Sequence, residues 1–249
     1  DGFDSGTASN NSFTERTIGP TSGDEGDFEL LFCATTSTGP NMFLDATPNW
    51  DLLNTGGCSG GPDCISGIWQ KFSPLPNNLS TTCEWTEPTL VFGGIVFRYG
   101  GADPDLPVIS VDCNTGTSDI AASPPIFTEA GSMVVRVFIA DELIDLTFQE
   151  LPGTEALGKA RNSLSAFGNT INQFAYNEPF ANAGIVSSVL IPFEVVDTNW
   201  RACTVAIRME GSVPFVAQVP ALNEWGLLSF AALAGITCIF FIRRRAFGS

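Results

Sequence analysis

Residues 222–242 constrain this chain more than any other stretch. They read LNEWGLLSFAALAGITCIFFI, with Glu224 as the sole charge, and a helix of about twenty apolar residues is long enough to cross roughly 30 Å of hydrocarbon. A transmembrane helix is therefore expected here. Arg243, Arg244 and Arg245 follow directly, and positive charge beside a span stays on the cytoplasmic side. Trp225 lies at the opposite end, where an indole suits the headgroup region. The expected topology is single-pass in a bacterial inner membrane, with the preceding residues in the periplasm and the C-terminus in the cytoplasm. The expected divisions are an N-terminal arm at 1–27, an extracytoplasmic β-rich domain at 28–215, and the anchor with its basic tail at 216–249.

Charge and cysteine usage fit an exported domain. The chain has 27 acidic and 11 basic residues. Removing Glu224 and the three terminal arginines leaves 26 and 8, a formal charge of about −18 before the span. Nucleic acid is excluded as a partner, because its phosphates require a basic surface. Cys33, Cys58, Cys64, Cys83, Cys113 and Cys203 precede the span, and Cys238 lies within it. In an oxidising compartment the six allow fifteen full pairings. Cys58 and Cys64 bracket a turn-forming SGGPD and are expected to bridge locally. Joining Cys33 to Cys203 and Cys83 to Cys113 completes the expected set, with Cys238 a free thiol. The opening at Asp1, with neither Met nor an apolar run, leads to the expectation that a signal peptide has been removed.

The arm, rich in Gly, Ser, Thr, Asn and Asp, has Phe3, Phe13 and Ile18 as its large apolar residues. It is expected to be flexible or to hug a surface. FELLFCA opens the domain as a strand, and 35–88 reads as a long irregular region held by Cys58, Cys64 and Cys83. From Thr89 onward, LVFGGIVFRY, LPVISVD, MVVRVFIADELIDLTFQ, IVSSVLIPFEVV and RACTVAIRME read as strands or hairpins. Asp141-Glu142 is the expected hairpin tip in the longest run, and Gly93-Gly94 a bulge or bend. Only 154–167 reads as helical outside the span, with Leu157, Ala160, Leu164 and Phe167 three or four residues apart. The fold class expected is mainly β: a disulfide-linked, antiparallel, sandwich-like ectodomain plus one C-terminal transmembrane helix.

Two catalytic patterns are present and neither is accepted. Gly57-Cys58-Ser59-Gly60-Gly61 matches a nucleophile elbow, but the chain contains no histidine to serve as its base. Gly153 through Lys159 matches the start of a phosphate loop, yet Ala160 stands where the magnesium-binding hydroxyl belongs. The missing histidines also exclude His-ligated zinc, copper and haem, and axial histidine ligation of pigments. No cofactor is expected. Asp103, Asp105, Asp112 and Asp119 are the calcium candidates, as hard oxygen ligands in a loop-rich segment without EF-hand spacing. Within the span, Ser229, Ala231, Ala232 and Gly235 make a small-residue stripe suited to close approach by another helix.

Val219, Pro220, Ala221 and Leu222, then Trp225-Gly226, an apolar helix and arginines, resemble the IPTL-CTERM sorting signal of Gram-negative bacteria. The resemblance covers the last thirty or so residues and departs from the pattern at Val219 and Ala221. It implies export and recognition by an exosortase-like enzyme. These features lead to the expectation of a non-catalytic, single-pass accessory subunit of a bacterial membrane complex, with the membrane and other transmembrane subunits as partners. In a phototrophic or respiratory host, an energy-transducing complex is the natural one. The alternatives are a surface or matrix protein sorted and released by the exosortase-like enzyme, and an exported hydrolase using carboxylates.

Overall fold

The computed structural model describes residues 2–4, 13–18, 24–36, 44–46, 50–58, 64–73, 81–89, 92–141, 155–164, 169–193 and 198–212. The chain divides into two units, Asp1–Phe215 and Val216–Ser249. The second unit, with the expected span, sorting motif, small-residue stripe and terminal arginines, lies outside the described residues, as does Cys238. Among the described residues no helix is long and apolar enough to cross a membrane.

The first unit is mainly β, and its sheets are antiparallel. One five-stranded sheet runs in the order β1 (Gly2–Asp4), β8 (Phe92–Tyr99), β3 (Phe28–Thr35), β6 (Ile65–Phe72), β5 (Asp51–Gly57). A second runs β13 (Glu155–Leu164), β14 (Asn169–Phe180), β12 (Ser132–Asp141), β17 (Asn199–Ile207), β9 (Val108–Thr117). Alternation along the strands gives each sheet two distinct faces. Phe28, Leu30 and Phe32 of β3, with Ile95 and Phe97 of β8, form one apolar cluster with Val135, Val137 and Ile139 of β12 and Cys203, Val205 and Ile207 of β17.

The opposite face of each large sheet is also covered. Leu31, Cys33, Trp69 and Val96 of the first sheet pack against Ile18, Cys83 and Trp85. These last belong to a three-stranded sheet ordered β2 (Phe13–Ile18), β7 (Thr81–Thr89), β4 (Leu44–Ala46). On the second sheet, Phe138, Ala140, Trp200 and Ala202 lie beneath a ribbon of β10 (Ile120–Ala122) and β16 (Leu190–Pro192). Val134 and Ala206 lie beneath another, of β11 (Ile126–Thr128) and β15 (Gly184–Val186). Double coverage explains why β3 and β8 are buried at every position and read as continuous apolar runs rather than alternating ones.

Several expectations are corrected. The stretch read as irregular, 35–88, contains β4, β5, β6 and all but the last residue of β7; its Gly, Pro and Asn content hides the strands, of which β5 and β6 pair with each other and β4 and β7 pair across a longer separation. The segment at 154–167 is not helical over Glu155–Leu164, which pairs with β14. Its three-four spacing is overridden by a neighbouring backbone that offers a full ladder. The expected hairpin tip at Asp141-Glu142 runs into residues 142–150, outside the described residues; up to Asp141 the ladder partners of β12 are β14 and β17. Gly93-Gly94 causes no bulge: β3 and β8 pair without a register shift. Instead, a Cβ on Gly94 would stand 2.5 Å from both Ile18 Cδ1 and Phe92 Cζ, so the glycine makes room for packing between sheets. The arm supplies β1 and β2.

The cysteine pairs at disulfide distance are Cys33–Cys83, Cys58–Cys64 and Cys113–Cys203. The local bridge is as expected, and the two long ones are exchanged. Strand parity is the reason. Cys33 shares a face of β3 with Leu31 and points to the three-stranded sheet, where it meets Cys83. Cys203 points into the cluster between the two large sheets and stands directly opposite Cys113 on the adjacent strand, Cα to Cα 4.1 Å. The loops closed by the two long bridges span 50 and 90 residues, for which chain entropy gives roughly 4 to 5 kcal/mol each.

Candidate interaction face

The described basic side chains lie inward, with Glu29 and Glu129 buried beside them, and most of the other described acids face outward. Among the described side chains, Asp24, Glu25, Asp51, Glu84, Asp105, Asp112, Asp119 and Glu210 are exposed, whereas Lys71, Arg98, Arg136, Arg201 and Arg208 are all buried or half-buried. The surface those residues present is anionic, and the cations are spent inside.

Each interior cation has a packing task. Glu29 is flanked across the strands by Lys71 and Arg98, at 3.2 Å and 3.7 Å. Arg98 also reaches Asp27 at 3.2 Å, and the Lys71 ammonium lies 4.3 Å from the centre of the Trp50 ring. Arg208 donates two 2.7 Å hydrogen bonds to Glu129, a bidentate fork, which raises its pKa further. Arg201 differs. It projects from β17 toward the first sheet and donates to the Ser66 carbonyl at 3.1 Å, to Ser66 Oγ at 3.2 Å and to Asn54 Oδ1. Burial pushes its pKa down to about 10. Among the described residues its Nε has no hydrogen-bond partner.

The four calcium candidates are not brought together. Asp103 and Asp105 precede β9 and Asp119 follows it, so about 30 Å of extended strand separates them. Asp103 accepts from the backbone N–H groups of Asp105 at 2.9 Å and Leu106 at 3.1 Å, which hold its carboxyl below the usual range. Asp112 accepts from the Cys113 N–H at 2.8 Å. Among the described residues no group of three His, Cys, Asp or Glu side chains could hold a metal. Gly158 and Lys159 of the phosphate-loop-like sequence lie within β13. Cys58 of the elbow-like sequence is in the bridge that closes the β5–β6 connection, while Ser59, Gly60 and Gly61 lie outside the described residues.

The feature that sequence reading missed is on the outer face of the second sheet. The pairs Ile120↔Pro192 and Ala122↔Leu190, then Ile126↔Val186 and Thr128↔Gly184, keep a single antiparallel register. The two ribbons are thus one ribbon broken in the middle. Pro124-Pro125 interrupts it because proline has no N–H for the ladder, and Ser123 maintains the crossing by donating its N–H to the Val189 carbonyl at 2.9 Å. Side-chain parity changes across the break: Ala121 and Ile191 face inward on one side, Ile126 and Val186 on the other. Ile120, Leu190, Phe127 and Ile185 are left outward, with Ile185 77% and Leu190 59% exposed.

The sheet below anchors this ribbon. Ser110 Oγ donates to the Phe127 carbonyl at 2.7 Å and Asn114 Nδ2 to the Ala122 carbonyl at 3.1 Å. Thr204 Oγ1 donates to the Pro124 carbonyl at 3.0 Å. An open cleft of about 270 Å³ lies against the ribbon, lined by Phe180, Ile185, Val189 and the Arg136–Glu178 pair. Arg136 donates to Glu178 at 2.8 Å and to the Ser187 carbonyl at 2.9 Å. The sequence signal was there: IAASPPIFT and IVSSVLIP are both apolar runs broken by Ser and Pro or Ser and Ser. This face suits binding: apolar side chains held outward by a hydrogen-bonded base. No family model, curated protein or solved structure matches this chain.

Proposed function

We propose that this protein is a non-catalytic, single-pass accessory subunit of a larger bacterial membrane complex. Its two five-stranded sheets form a sandwich-like periplasmic domain, and residues 222–242 form the anchor. The observation that carries the reading is the pairing of all six cysteines that precede the apolar run, which suits an oxidising compartment. The run itself, ending in three arginines, supports attachment with the domain outside. The small-residue stripe supports neighbouring helices in the bilayer. The interior cations are engaged in packing, which supports a binding role over chemistry. Extraction from native membranes in mild detergent tests the proposal: the chain is expected in a complex with other membrane subunits, and recovery solely as a lone monomer would rule it out.

The tail motif favours a second reading, a surface or matrix protein cut by an exosortase-like enzyme. Intact mass of the cellular protein separates the two. The subunit keeps its C-terminal arginines, whereas the sorted protein ends before the apolar run.

A further inference from the structure

We infer that the outer row of the broken ribbon, Ile120, Leu190, Phe127 and Ile185, is the docking surface for a protein partner that is apolar at its centre and edged by lysine and arginine. The inference rests on the accessory-subunit reading and says where on this chain the partner sits. Four of the six large apolar side chains most exposed among the described residues lie in this row. Phe127 and Ile185 are cross-strand partners, so they present one continuous surface. At about 3.3 Å per residue, the row from Ile120 to Phe127 extends roughly 20 Å, a length suited to the centre of a protein interface. Its backbone is held by Ser110, Asn114 and Thr204, so little ordering is needed on binding.

Charge decides the occupant. Asp112 lies between the two β9 residues that grip the ribbon, and Asp119 adjoins Ile120; both are exposed. Two copies of the chain joined by this face would bring acidic rims together, and an anionic lipid surface would meet the same repulsion. A partner with basic groups around an apolar centre complements both parts of the face.

The full chain, extracted from its native membranes in mild detergent, tests this with Phe127→Ser/Ile185→Ser and Asp112→Asn/Asp119→Asn. The expected result is that the first variant loses at least ten-fold of the co-purifying partner while keeping its three bridges and β-type circular dichroism. Wild-type association should weaken at least ten-fold between 50 and 500 mM salt, as expected on the order of magnitude for a steered, charged interface, and the second variant should flatten that dependence. Ile185→Asp alone, at a side chain already exposed, serves if the double variant misfolds. A partner retained at wild-type level by the folded ribbon variants overturns the docking surface and leaves the subunit reading standing. A wild-type chain recovered as a lone monomer overturns both. A benzophenone side chain at position 185 that joins two copies of the chain, or ribbon-dependent binding to phosphatidylcholine vesicles, overturns the inference in favour of self-association or lipid.

Discussion

The Trp200 indole lies across Gly116, its direct partner on the neighbouring strand. A Cβ at position 116 would stand 2.4 Å from Trp200 Cζ2, so the ring occupies the space a side chain would need. Trp200 Nε1 donates to Ser118 Oγ at 3.0 Å, and the ring joins Phe138 and Phe193 beneath the ribbon. Gly116→Ala is expected to destabilise the domain by about 2 kcal/mol through overpacking, measured by urea unfolding. Unchanged stability would mean that the ring moves aside without loss.

Two buried arginines should differ in their response to removal of their charge. Arg98→Met strips one partner from Glu29, whose carboxylate is buried, and is expected to cost about 3 kcal/mol, the low end for uncovering a buried charge, because Lys71 remains. Arg201 faces hydrogen-bond acceptors but no carboxylate among the described residues. Its pKa near 10 corresponds to about 3 kcal/mol of unfavourable burial, which offsets the bonds lost in Arg201→Met. That variant should fall within about 1 kcal/mol of wild type. The burial cost is present throughout the range below pH 10 and fades as pH rises above it, since the guanidinium is disfavoured only in the folded state. Denaturant midpoints of the two variants at pH 7 check the contrast.

Asp103 should titrate below 3.8, its ordinary value, because the Asp105 and Leu106 N–H groups stabilise the carboxylate. Its contribution to stability is then fully present above the unfolded pKa and lost as pH falls through the folded one. Carbon-detected carboxyl titration reads the midpoint directly, and a value at or above 3.8 would contradict the turn geometry. Asp103→Asn should flatten the stability slope below about pH 4.

Peptide mapping without reductant should recover Cys33–Cys83, Cys58–Cys64 and Cys113–Cys203, with Cys238 alkylated as a free thiol. Replacing Cys33 and Cys83 together by Ala should cost about 2–5 kcal/mol. Recovery of Cys33–Cys203 would require β3 to turn its other face to the second sheet.

The anionic shell predicts a salt response. Repulsion among exposed carboxylates is screened as ionic strength rises, so stability should increase by on the order of 1 kcal/mol, or about 2–4 °C in Tm, between low and moderate salt. A fall in Tm would indicate that ion pairs among described and other residues outweigh that repulsion.

The sequence alone determined what depends on composition and local order. Strong β propensity with turn residues between the runs marked β3, β8, β9, β12 and β17 as strands, and the SGGPD turn placed Cys58 beside Cys64. The helical spacing at 154–167 misled because local periodicity competes with an available ladder, and the ladder prevailed. Only the tertiary structure decided faces. Whether Cys33 meets Cys83 or Cys203, whether Gly94 is a bend or a clearance, and whether Ile185 is core or surface all follow from which sheet lies over which side of a strand. A one-residue change of parity reverses each outcome, and parity across a break such as Pro124-Pro125 is not written in either flanking run. The same holds for the charges: the sequence supplies an acidic excess, but long-range packing sends the described basic side chains inward with a few acids such as Glu29 and Glu129 beside them and leaves most of the other described acids outside.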